Sequence, residues 1–135
     1  MPFRPMSGLV TLVLLLLTAC ATQSERARNL DSTLRAYEQA VRWGDYRAAF
    51  GFMEEEPADV SQQARSWENI RVSGYRTAPL RLDEQGRRAV QIVEIRYYDT
   101  RTMREHRLMD RQQWRYDADA DRWYRVNPPP TFDEH

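Results

Sequence analysis

Lysine is absent from this chain: all 20 basic residues are arginine, and they face 20 acidic residues for a formal net charge of zero. Balanced, interspersed charge argues against the extended basic footprint of a nucleic-acid surface and against a strong steering field for charged substrates. A GC-rich coding bias is the plainer reading of the exclusive use of arginine, although arginine also favours bidentate ion pairs over lysine. There is a single cysteine, Cys20, so no internal disulfide can form and packing alone must hold the fold. No apolar run is long enough to cross a bilayer, which takes about 20 residues; the longest covers residues 8–18. The His/Cys spacing of a zinc site, a glycine-rich phosphate loop and a paired nucleophile and base are all missing. The sequence therefore points to no metal and no cofactor. With His135 at the terminus, His106 is the only internal histidine.

What the chain does have begins at its start. A lone cation, Arg4, precedes the apolar stretch Gly8 to Leu17, which runs into Leu17-Thr18-Ala19-Cys20. A positive start, a short hydrophobic segment and small residues before a cut are the parts of a secretory signal. The segment resembles the lipobox of bacterial lipoproteins, which is cut before the cysteine. The resemblance implies a diacylglycerol thioether on Cys20, an acylated Cys20 amine and a chain held on a membrane surface. Two or three acyl chains, at about 0.8 kcal/mol per buried methylene, anchor firmly where one does not. Ala21 follows where the sorting rule would place Asp for retention at the inner membrane, which implies the outer membrane, facing the periplasm. The expected organisation is a signal peptide over 1–19, a lipidated polar tether over 20–24, one domain over 25–127 and a C-terminal tail over 128–135. Removing residues 1–19 leaves 116 residues with 19 basic and 20 acidic side chains, one domain's worth. Fourteen of the fifteen aromatics, all but Phe3, lie in that part and supply the apolar area a disulfide-free core needs.

Leu30, Leu34, Tyr37 and Val41 share one face of a helix. Gly44 suits a left-handed helix terminus and Asp45 can cap a second helix carrying Tyr46, Ala49, Phe50 and Met53. Glu54-Glu55-Glu56 before Pro57 suggests the start of a third, with Val60, Ala64 and Trp67 on its buried side. From Glu68 the period becomes two. Asn69 to Arg76 reads as a strand with Gly74 as a bulge, Pro79 limits Leu80-Arg81-Leu82 to an edge, and Asp83 to Gly86 is a turn. Arg87 to Asp99 is a strand whose apolar phase shifts between Ile92 and Val93, indicating a bulge or cover on both sides. Met103 to Tyr116 and Arg122 to Val126 follow, joined by a turn over Asp117 to Asp121. Asn127-Pro128-Pro129-Pro130 cannot continue a sheet and reads as a tail.

Helices first and long antiparallel strands afterward give an α+β class with N-terminal helices packed on a curved antiparallel sheet. Gly44-Asp45-Tyr46, Ala49, Val90 to Tyr98, Gln113-Trp114 and Trp123-Tyr124-Arg125-Val126 carry a resemblance to the nuclear transport factor 2-like superfamily; a cystatin-like helix wrapped by a sheet is the alternative. That superfamily's sheet and helices form a cone whose mouth can hold a ligand or an active site. Tyr37, Tyr46, Trp67, Tyr97, Trp114 and Tyr116 are the candidates for such a lining, against the plainer reading of an aromatic core. Enzymes of the superfamily place an Asp, His or Tyr in the cone, but His106, between Glu105 and Arg107, reads as a surface residue and Asp45 as a helix cap. Asp117, Asp119 and Asp121 alternate like the start of a calcium loop, yet Arg122 and Pro128 stand where such a loop needs Gly and a bidentate Glu. The expected function is a lipid-anchored envelope module that binds a protein partner or a hydrophobic ligand. The alternative is a small cone-pocket isomerase or hydrolase.

Overall fold

The computed structural model describes residues 7–132; Phe3 and Arg4 at one end, and the last three residues of the expected tail, lie outside them. Helix α1, Ser7–Arg42, is continuous over 36 residues. The expected tether at residues 20–24 is part of it. Neither Gly nor Pro interrupts residues 9–43, and the hydroxyls of Thr18 and Thr22 donate to the helix's own carbonyls at Leu15 (2.9 Å) and Thr18 (2.6 Å), so this polar stretch has no reason to unwind. The helix ends where Gly44 takes φ +67°, with the Gly44 and Asp45 amides donating back to Val41 (3.1 Å) and Ala40 (2.9 Å). A residue with a Cβ would be strained there. Asp45 then caps α2, Tyr46–Phe50, by accepting from the Ala48 amide at 3.0 Å.

Helix α3 covers Val60–Arg65, later than the acidic run suggested. Glu54 to Glu56 are exposed and irregular. Pro57 disfavours a helical Glu56, and three adjacent carboxylates repel one another. The sheet has β1 Ile70–Thr77, β2 Arg81–Leu82, β3 Arg88–Asp99, β4 Glu105–Asp117 and β5 Arg122–Arg125. It is antiparallel in the order β1-β3-β4-β5, with β2 also on β3, and it curls into a half-barrel. The expected bulge is present as a register shift between Val72 and Gly74. A Cβ on Gly74 would lie 2.8 Å from Arg96 Nε, so glycine is what lets that guanidinium cross β1.

Strand β3 keeps a single phase, contrary to the expected shift. Ala89, Val93, Ile95, Tyr97 and Asp99 are buried, while Ile92 is exposed. Its pairing with β4 is unbroken from Arg88 to Tyr98, so Val90 and Ile92 are apolar residues on the outer face. The concave side carries Val93 and Ile95, and α1 packs Leu30, Tyr37 and Val41 into the same buried cluster, with Leu34 half-buried at its margin. Each amphipathic element thereby covers the other.

The proline segment is no free tail. Phe132 is 2% exposed and stacks edge-on against Trp67 (5.1 Å) and Tyr97 (4.9 Å). Trp67 Nε1 donates to the Pro130 carbonyl at 3.1 Å, and the Phe132 amide donates to Ser66 Oγ at 3.2 Å. Three consecutive prolines bar sheet pairing, but an extended strap can still return one aromatic ring to the core.

Candidate functional site

The alternation of β4 turns Asp110, Gln112 and Trp114 inward. Across the sheet, β5 turns in Arg125, which pairs with Trp114. Tyr37 descends from α1 and Tyr75 reaches in from β1. Together they form a buried polar network at the centre of the cone. Arg125 grips Asp110 with two bonds, Nη1 to Oδ2 at 3.0 Å and Nη2 to Oδ1 at 2.6 Å. Two more of its five N–H groups donate to the carbonyls of Asn127 (2.8 Å) and Pro128 (3.0 Å). Gln112 Nε2 donates to Asp110 Oδ2 (3.1 Å) and to Tyr75 Oη (2.7 Å), while its Oε1 accepts from Trp114 Nε1 (3.3 Å). The guanidinium lies 4.9 Å from the centre of the Tyr37 ring, a cation–π contact stronger for being desolvated.

The electrostatics follow from that enclosure. The Arg125 side chain is 0% exposed and that of Asp110 5%; charges so deep persist only when paired and hydrogen-bonded. Burial works against the Arg125 charge, yet Tyr37 and the Asp110 carboxylate outweigh it and raise its pKa. Burial pushes the Tyr37 hydroxyl well above its ordinary value, against the opposing pull of Arg125. Tyr75 is raised for the same reason, with the Gln112 bond working the other way. The Tyr37 hydroxyl has no hydrogen-bond partner among the described residues.

The six aromatic candidates do not converge on one cavity. Tyr37 and Trp114, 0% and 1% exposed, pack edge to face at 5.3 Å with Phe52 completing a triangle, so rings occupy the middle of the cone. Trp67 and Tyr97 lie at one end against Phe132. Tyr116 lies at the other, 5.5 Å from Trp123 and beneath the Arg26 guanidinium at 4.8 Å. Tyr46 borders an open cleft of about 600 Å³ beside Phe50, Met53 and Val60.

His106, expected at the surface, is half-buried and stacked on Tyr97 at 5.3 Å, since it shares the inward phase of Leu108. Near it Asp99 accepts from the Arg101 side chain at 2.7 and 3.1 Å and from the Arg101 amide at 2.8 Å, which holds its carboxyl at about 2. Asp117 Oδ1 accepts from the amides of Asp119 (2.9 Å) and Ala120 (3.2 Å), and Asp121 accepts from the Tyr116 hydroxyl, so the carboxylates of Asp117 and Asp121 fasten a turn. Cys20 is exposed on α1.

Asp110, Gln112, Tyr75 and Arg125 were not among the candidate site residues, Arg125 having been noted only within the Trp123 to Val126 run that carries the fold resemblance. The available signal was phase: Asp110 and Gln112 share the phase of Leu108 and Trp114, and Arg125 that of Trp123. No model of a protein family matches the chain, and neither does a characterised protein or a solved structure.

Proposed function

We propose that this chain is a lipid-anchored envelope protein whose domain acts by binding. The observation that carries the anchor is the coincidence of an apolar run, the small residues Thr18 and Ala19, and the chain's sole cysteine at the next position. Supporting it, Cys20 is exposed and the first buried residue of α1 after it is Leu30, so the modification would not meet the core. No helix among the described residues is long and apolar enough to cross a membrane, and anchorage by acyl chains needs none.

Binding in preference to catalysis is supported by the cone interior. A general acid or base must present a proton position to substrate. Asp110 has both oxygens taken by Arg125 and Gln112, and the tyrosines beside it are pushed away from neutral titration by burial. Aromatic rings fill the space a substrate would enter, which makes the cone a scaffold and leaves recognition to the surface.

Metabolic labelling with palmitate in a bacterial host tests the anchor. Wild-type chain should incorporate label and Cys20→Ala should not. Absence of label in the wild type, or equal label in both, sinks the reading.

A further inference from the structure

The outer face of the sheet carries an arrangement that self-association of its own charges does not explain. Cross-strand register places Arg96 opposite Arg107 and Arg88 opposite Arg115 on that face, and like charges directly opposite destabilise a sheet. Two of these cations have carboxylate partners: Arg115 with Glu54, and Arg107 with Glu94 at 3.7 Å. Arg76 stands directly opposite Glu94 in the register, whereas Arg81, Arg96 and Arg111 form no ion pair among the described residues. Gly74 keeps β1 low beneath Arg96, holding that guanidinium on the face. Between the cations stand exposed apolar side chains, Ile92 at 42% and Met109 at 62%. A niche of about 290 Å³ opens there, floored by Ala78, Pro79, Val90 and Ile92 and rimmed by Arg81 and Arg111.

We propose that this face docks an acidic protein segment bearing apolar residues, its carboxylates met by Arg81, Arg96 and Arg111 and one apolar side chain seated in the niche on Val90 and Ile92. Charge complementarity selects the sign of the partner, and planar guanidiniums suit carboxylates bidentately. The apolar floor argues for a peptide over a bare polyanion, because a phosphate or sugar backbone would leave Ile92 and Met109 unburied. The inference rests on reading the domain as a binding module and names the class of its partner.

The test uses the full chain in non-ionic detergent and a fluorescein-labelled octapeptide of alternating glutamate and leucine. A glutamate–serine octapeptide of equal charge is the comparison. The first peptide should bind, weaken as salt rises, and bind at least about tenfold tighter than the second. Arg81→Glu with Arg111→Glu, and separately Ile92→Asp, should each cost about tenfold; all three positions are exposed, so the variants should fold. No binding, equal affinity for the two peptides, or unchanged affinity in the variants overturns the proposal. Displacement of the peptide by phosphatidylglycerol but not by phosphatidylcholine, each added as mixed micelles in the same detergent, also overturns it, in favour of a lipid site. None of these outcomes alters palmitate labelling at Cys20, so the anchor and this docking surface fail separately, and displacement by lipid would overturn the peptide partner while leaving the domain a binding module.

Discussion

Arg125 and Asp110 decide how the interior is arranged, because each is too deep to be charged without the other. Water is replaced around the guanidinium by a carboxylate, two backbone carbonyls and the face of Tyr37, so four of its five N–H groups have fixed partners. A hydrophobic pair of equal volume would pack as well, and removing one buried partner typically costs about 3–5 kcal/mol while replacing both can be close to neutral. Arg125→Met and Asp110→Leu should therefore each destabilise by about that amount, and the double variant by much less than the sum. Urea unfolding of the four proteins measures the coupling. Additive losses would mean that the pair is held apart in solution and that Tyr37 and Gln112 are organised by something else.

Elements with a regular period were legible, and those whose burial comes from a distant partner were not. Leu30, Leu34, Tyr37 and Val41 at helical spacing, and Val93 and Ile95 at strand spacing, announce their own faces, so the α+β class and the helix–sheet contact follow from pattern. Asp110 and Arg125 count as surface in any hydropathy pattern; only their pairing across β4 and β5 makes them core. The phase of β3 misleads because Val90 and Ile92 point outward as fully apolar residues, and the aromatic candidates scatter because aromatic content says nothing about which end of a cone a ring occupies. The strap is the clearest miss: prolines correctly exclude a strand, but one phenylalanine has no period to reveal that it returns. Phe132→Ala should cost about 3–5 kcal/mol, as large buried aromatics do. Arg35→Ala, which removes only an exposed i,i+4 pair with Asp31, should cost no more than about 0.5 kcal/mol. Equal and small losses by urea unfolding would show that the strap does not stay docked.

At the scale of the whole molecule, the continuity of α1 through Cys20 sets where an anchor would hold the domain. From Cys20 to Leu30 the helix rises about 15 Å at 1.5 Å per residue, and it is pinned at that level. Arg26 donates to the Gln85 carbonyl at 3.3 Å, Trp123 Nε1 donates to the Arg26 carbonyl at 3.1 Å, and Arg26 covers Tyr116. The proposed anchor thus approaches the end of the cone formed by the turns at 83–86 and 117–121. The hairpin joining β3 to β4 lies at the far end, a strand of 13 residues away, which at about 3.3 Å per residue is some 40 Å. A rigid stalk then predicts a fixed orientation, with Gln85 near the headgroups and Thr102 far from them. With Cys20 lipidated, a fluorophore on Gln85→Cys in reconstituted vesicles should be quenched by nitroxide-headgroup lipid much more than one on Thr102→Cys. Inserting Gly-Gly-Ser after Thr22 should abolish the difference by breaking the helix, since glycine is the poorest helix former after proline. Equal quenching without the insertion would mean that residues 20–25 unwind once the acyl chains are attached, and that the domain swings freely on its tether.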